Sequence, residues 1–227
     1  MKQVLIFDAD DTLWENNVLF ERVIDDYLEW LRHPTMDRAQ LRAILNDIER
    51  ANVPILGYGS KALLGSLHAM FEHINSRPVN DRERREIDEL AARLREHKVD
   101  LVPGVSETLA ELGGRHELLL LTKGNPDEQQ GKLDASNLAH HFASVHIVPE
   151  KDVPTYRSLV GERSLDVGRT WMIGNSPKSD ILPARQVGMS AVFIPNQHTW
   201  VLEHDELDPA DTGVLHLERF TQLVDHF

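Results

Sequence analysis

Val4-Leu5-Ile6-Phe7-Asp8-Ala9-Asp10-Asp11-Thr12-Leu13 is the stretch from which the rest of the chain can be read. Val4 to Phe7 is an unbroken apolar run, without the alternation of a half-buried strand. Such a run suits a strand buried on both faces in the middle of a parallel sheet. Asp8 and Asp10 follow at alternating positions, with Asp11 beside them. If Asp8 ends the strand, both aspartates turn toward one small volume at the carboxyl edge of the sheet, where α/β proteins bind ligands. Like charges so close repel unless a cation, a proton or a phosphate-handling task accounts for them.

Outward from this stretch the pattern becomes helical. Phe20, Val23, Ile24, Tyr27, Leu28 and Leu31 recur at helical spacing until His33-Pro34. Leu41, Ile44, Leu45 and Ile48 mark a second helix, expected to end near Val53-Pro54, and Leu63, Leu67, Met70, Phe71 and Ile74 a third. Asn80 with Glu83 forms a capping box that opens a fourth, carrying Ile87, Leu90, Ala91 and Leu94. Four amphipathic helices with short connections predict a small bundle. From Val102-Pro103-Gly104 onward strands alternate with helices. Strands are expected at Leu118–Thr122, Val145–Val148, Trp171–Ile173 and Ala191–Ile194, with an edge strand at Gly213–Leu217. Helices are expected at Glu107–Leu112, Pro126–Ser136, Thr155–Val160 and Ser179–Val187, and a closing one at Glu218–His226. Alternation of this kind implies parallel strands joined by right-handed crossovers. The fold class is therefore α/β, a Rossmann-like parallel sheet with an inserted helical bundle. Residues 1–13 and 101–227 make the core, and residues 14–100 the inserted cap.

A chain of 227 residues is long enough for a core with one insertion. Its 24 basic and 37 acidic residues give a formal charge of −13, which argues against nucleic acid or an anionic membrane as partner. The absence of cysteine removes disulfides and thiol chemistry. The apolar stretch near the N-terminus stops at Asp8, too early for a secretion signal, and no span approaches transmembrane length. A cytoplasmic location is the resulting expectation.

Each later strand also ends in polar residues. Four leucines lead into Thr122-Lys123-Gly124-Asn125, where a hydroxyl and backbone amides could hold phosphate oxygens and Gly124 would allow close approach. Val148-Pro149-Glu150-Lys151 supplies a cation after the next strand. Trp171-Met172-Ile173-Gly174-Asn175-Ser176-Pro177-Lys178-Ser179-Asp180 supplies a glycine turn and a carboxylate. Together, in this order, these four segments resemble the signatures of the haloacid dehalogenase superfamily in its phosphatase form, with a helical cap inserted after the first core strand.

The resemblance implies a magnesium-dependent phosphomonoesterase acting on a small phosphorylated metabolite. Asp8 would attack phosphorus and form an aspartyl-phosphate, and Asp10 would protonate the leaving alcohol and then deprotonate water. Thr122, Lys123, Gly124, Asn125 and Lys151 would hold the phosphate. Asp8, the backbone carbonyl of Asp10 and Asp180 would bind Mg2+, with Asn175 auxiliary. Asn175 departs from the pattern, since many relatives carry aspartate there. Asp11, where many relatives have glycine, is expected to point away from the site. The inserted helices would act as a lid, with Trp14, Asn16 and Asn17 at its hinge. Within the class the alternatives are 5'-nucleotidase or phosphoglycolate-type specificity. Beyond it stand a haloacid dehalogenase or phosphonatase and a non-catalytic phosphate-binding regulator. Asp10 disfavours the dehalogenase, because expulsion of a halide needs no acid. No lysine in the helical block is placed for the Schiff-base chemistry of a phosphonatase.

Overall fold

Val4–Phe7 forms β1, and in this computed structural model, which describes residues 2–95 and 99–227, it lies at the centre of a six-stranded sheet. The other strands are β4 (Glu117–Lys123), β5 (Ser144–Val148), β6 (Thr170–Gly174), β7 (Ser190–Phe193) and β8 (Val214–His216). Their order is β5-β4-β1-β6-β7-β8, and every pairing is parallel. The chain builds outward from β1 first to one side and then to the other. The direction reverses at β1, the kind of switch point where open α/β sheets leave a crevice beyond the carboxyl ends of their strands.

The unbroken apolar runs are explained by cover on both faces. Leu5 and Phe7 pack with Leu118, Leu120 and Ile173 against Val105, Leu109 and Leu112 of α5 (Val105–Gly113). Ile6, one residue out of phase, packs with Leu119, Leu121 and Met172 against Tyr156 and Leu159 of α7 (Val153–Arg163). A period of two thus divides one strand between two cores. α6 (Pro126–Ser136) carries Pro126 in its first turn, as a helix start allows. A two-stranded antiparallel ribbon of β2 (Trp14–Glu15) and β3 (Asp100–Leu101) is an element the periodicity did not announce. Such short strands leave no pattern long enough to read.

The chain folds as two compact units, Met1–Asn17 with Lys98–Phe227, and Val18–His97. The second is helical and holds most of α1 (Asn17–Leu31), with α2 (Arg38–Leu56), α3 (Ser60–Asn75) and α4 (Asp81–Ala92). Its core gathers Ile24, Tyr27, Leu45, Leu67, Met70 and Ile87, and the Tyr27 hydroxyl donates to the Leu67 carbonyl at 2.9 Å. Asn80 accepts from the amides of Arg82 and Glu83, and Glu83 reaches back to the Asn80 amide, completing the capping box.

Three expectations need correction. α2 does not end at Val53-Pro54 but runs to Leu56. Pro54 falls in the last turn, where its missing N–H costs little cooperativity, and Gly57 at φ 70° makes the stop by donating to Val53 O. The helix expected at Ser179–Val187 is a π-helical turn, Pro177–Ile181, followed by α8 (Leu182–Gln186). The closing helix is a 3-10 segment, Phe220–Asp225. Its buried Phe220 and Leu223 are three apart, so a coil of three residues per turn puts both on one face. Among the described residues, no helix is long and apolar enough to cross a membrane.

Candidate active site

Asp8, Lys151 and Asp180 meet at the carboxyl edge of the sheet. Lys151 Nζ donates to Asp8 Oδ1 at 2.5 Å and also to Asp180 Oδ1. All three are buried, Asp180 completely. Lys151 follows β5, two strands from β1, so it crosses about 10 Å of sheet at about 4.8 Å per strand.

Asp180 is aimed from the π-helical turn. Its Oδ2 accepts the Ser176 amide at 3.0 Å, and the Ser176 hydroxyl caps the turn by accepting the Ser179 amide at 2.9 Å. Gly174 is what lets Asp180 in. A Cβ at Gly174 would stand 2.2 Å from Asp180 Oδ2, a distance no side chain tolerates. The buried Tyr156 hydroxyl donates to Ser179 O at 3.0 Å and so holds the backbone of the turn.

Two carboxylates share one ammonium here, leaving an excess of one negative charge in a buried place. Burial and the charge of Asp8 push the Asp180 carboxyl above its ordinary value, against the pull of Lys151. Burial alone would lower Lys151, but the carboxylates of Asp180 and Asp8 hold it well above the ordinary value, as a permanent cation. Thr12 joins the cluster to Asn175, its hydroxyl lying 2.9 Å from Asp8 Oδ2 and 3.2 Å from Asn175 Oδ1. The oxygens of Asp8, Asp180 and Asn175 form a hard, oxygen-only donor set with two carboxylates, which suits magnesium.

Asp10 belongs to a second cluster. Its Oδ1 accepts from Trp14 Nε1 at 2.7 Å, its Oδ2 from Gln129 Nε2 at 2.8 Å, and both oxygens from Lys132 Nζ at 2.9 Å. Lys132 also donates to Asn16 Oδ1 at 2.7 Å. Burial acts to raise the Asp10 pKa, but the charge of Lys132 and these hydrogen bonds outweigh it and keep the carboxyl below its ordinary range. Thr122 connects to the same cluster, its hydroxyl donating to Gln129 Oε1 at 3.3 Å.

Three residues expected around a phosphate are engaged otherwise. Lys123 Nζ pairs with Glu203 Oε1 at 2.6 Å, Ser179 Oγ at 2.8 Å and Glu150 Oε1 at 3.2 Å, because a nearly buried ammonium must be met by charge. The Gly124 amide donates to Val148 O at 3.0 Å. Gly124 sits at φ 141°, and a Cβ there would come within 3.0 Å of Gln129 Nε2, so its lack of a side chain makes room for Gln129. The Asn125 side chain caps α6 by accepting from the Asp127 and Glu128 amides. Asp11, expected to point away from the site, is buried and directs its carboxylate to the start of α1. At φ 62° it accepts from the Asn16 and Asn17 amides at the start of α1. Burial, with the nearby charges of Asp10 and Asp8, pushes its carboxyl up to about 7 despite those two bonds.

Lys132, Gln129, Thr199 and Glu203 were invisible to sequence reading. Each earns its place through a partner distant in the chain, and a lysine or glutamine on a helix carries no local mark of that.

A family model described as haloacid dehalogenase-like hydrolase matches residues 2–188. Over 100 residues, 41% of this chain, the sequence is 34% identical to the phosphoserine phosphatase of Thermus thermophilus, and the match spans 40% of that relative's length. Among solved structures, a haloacid dehalogenase-like family hydrolase from Xanthomonas campestris superposes with a TM-score of 0.83 at 24% identity, covering 99% of this chain and 94% of that one. The putative HAD-hydrolase YfnB from Bacillus subtilis, bound to magnesium, gives 0.68 at 15% identity, covering 99% and 98%. The 2-haloacid dehalogenase from Pseudomonas syringae gives 0.64 at 20% identity, covering 99% and 97%. At such identities the structures speak for the fold, while the family model covers most of the chain: this protein belongs to the haloacid dehalogenase-like hydrolases.

Proposed function

We propose that this hydrolase is a magnesium-dependent phosphomonoesterase that releases phosphate from a small phosphorylated metabolite through an aspartyl-phosphate on Asp8. The observation that carries the reading is the pair of clusters two residues apart. Asp8 shares Lys151 with Asp180, while Asp10 is held as an anion by Lys132, Gln129 and Trp14. One carboxylate is thus set beside charges that handle an anion, and its neighbour is set up for proton traffic.

Asp8 attacks phosphorus, the ester oxygen leaves, and the phosphoryl group passes to the carboxylate. Lys151 offsets the repulsion between the two anions. As the anion, Asp10 takes a proton from the water that hydrolyses the aspartyl-phosphate, and the acid so formed delivers that proton to the leaving group of the next turnover. Thr122, whose hydroxyl donates to Gln129, would turn to a phosphoryl oxygen. Asp8, Asp180, Asn175 and the Asp10 carbonyl would hold Mg2+, which when bound neutralises charge on the transferring oxygens. The stretch similar to a phosphoserine phosphatase supports a phosphomonoester over a halide substrate, and so does an aspartate at position 10.

The test is phosphate release from a generic aryl phosphate and from a panel of phosphorylated metabolites, with magnesium and with EDTA. Wild type should turn over only with magnesium, and Asp8→Asn should abolish release. Near-normal turnover by that variant would overturn the assignment of Asp8.

A further inference from the structure

Asn175 is a neutral amide beside two carboxylates, and the two ends of an amide are not equivalent: one accepts hydrogen bonds and the other donates them. Its Oδ1 lies 3.2 Å from the Thr12 hydroxyl, on the Asp8 side, and its Nδ2 donates to Thr199 Oγ1 at 2.8 Å. Which end faces Asp8 is decided by the surrounding network. Thr12 does not decide it. That hydroxyl can give its proton to Asp8 Oδ2 at 2.9 Å, and its lone pairs would then receive an amide N–H as readily as its proton would meet an amide oxygen. Thr199 does decide it. Its hydroxyl donates to the Asn196 carbonyl at 2.9 Å, so toward Asn175 it is an acceptor only. An amide oxygen turned that way would face a lone pair.

We propose that Thr199 is a positioning residue: by taking the Asn175 Nδ2 proton it turns the Asn175 oxygen toward Asp8 and the cation-binding oxygens. The inference rests on the magnesium reading of the site given above. Thr199 lies in the loop after β7, beyond residue 188 where the family match ends. That loop is itself anchored at the site. Asn196 Nδ2 donates to Asp11 O at 3.1 Å, and the His198 carbonyl accepts from Asn17 Nδ2 at 2.7 Å. The Asn196 side-chain oxygen takes the His198 amide at 2.8 Å, which stiffens the turn carrying Thr199. A carboxylate at position 175 would need no such help, because both its ends are oxygens. Thr199 is thus the counterpart of the neutral amide.

The experiment is calorimetric titration of Mg2+ into the full chain, with unfolding in EDTA followed in parallel. Thr199→Val keeps the shape and removes the hydroxyl, and Thr199→Ser restores it. Thr199→Val should weaken Mg2+ binding by about tenfold or more, as loss of a partner behind a metal ligand does. Thr199→Ser should bind like wild type. In an Asn175→Asp background the same Thr199→Val change should cost little. Equal affinity in wild type and Thr199→Val would overturn the inference, and so would an equal loss in both backgrounds, since a merely structural loop contact predicts that. A wild-type chain that takes up no Mg2+ would overturn the inference together with the magnesium reading, whereas the first two results would leave that reading standing.

Discussion

Lys132 Nζ sits 2.9 Å from both carboxylate oxygens of Asp10, across 122 positions of sequence, and completes a set of four hydrogen bonds to that side chain. The pair joins α6 to the loop after β1. A carboxylate so fully donated to is an anion in a fixed orientation, which is what a base needs and what a solvated aspartate lacks.

Replacement of Lys132 by Met should therefore slow the water-activating half of the reaction. With an aryl phosphate, whose leaving group needs no acid, the first half should survive. The expected result is a burst of released phenol of about one equivalent per active site, followed by a steady state about tenfold below wild type. KM should fall about in step with kcat, leaving kcat/KM nearly unchanged, because the Lys132 donors end on Asp10 and Asn16 and the first half survives. An unchanged steady state without a burst would count against the role of Lys132.

Asp10→Asn removes the proton carrier itself. General acid catalysis contributes about 10²–10⁴-fold, and the loss should be larger for alkyl phosphates than for activated aryl esters. Equal losses on both would argue that Asp10 merely shapes the loop.

Gly174→Ala tests how Asp180 is seated. The added methyl would stand 2.2 Å from Asp180 Oδ2 in a strand with no slack, so the carboxylate must shift. A displacement of about 1 Å at such a site costs on the order of 100-fold in rate. Assay of magnesium-dependent turnover, with circular dichroism to verify folding, checks this. Full activity in the folded variant would mean that Asp180 is not needed where it lies.

Glu203→Gln concerns stability. Glu203 pairs with the nearly buried Lys123 and also accepts from Ser176 at 2.6 Å. Burial works against its charge, but Lys123 and the hydrogen bonds prevail and lower its pKa. Loss of that charge should cost about 2 kcal/mol at neutral pH, less than for a fully isolated buried ion because Glu150 also faces Lys123. Because the folded pKa lies below the unfolded one, this stabilisation is complete above the ordinary glutamate value of about 4.3 and is lost as pH falls through the lower folded value. Denaturant midpoints for wild type and variant should differ at pH 7 and converge at strongly acidic pH. A constant gap would rule out the charge as its source.

Much of the fold was legible because burial on both faces leaves an unmistakable mark. Val4–Phe7 and Leu118–Leu121 had no alternation to hide in, and the helical residues between them kept a clear 3.6 period. The strand ends of a parallel sheet share one edge, so Asp8, Thr122, Lys151 and Asn175 had to lie along it. Local chemistry also spoke for itself where it was local, as in the Asn80–Glu83 box. Pro54 misled because its effect depends on how much helix remains, and the 3-10 coil at Phe220–Asp225 because α and 3-10 patterns coincide over so few residues.

Composition and periodicity therefore set the layers, the strand order's polar edge and the acidic turn at Asp8. Only folding chose the partners. Lys123 turned to Glu203, Lys132 to Asp10 and Thr199 to Asn175 across 80, 122 and 24 positions. A hydrogen bond of that kind acts over about 3 Å in space and has no period along the chain. A linear pattern cannot carry it, and the packed sheet can.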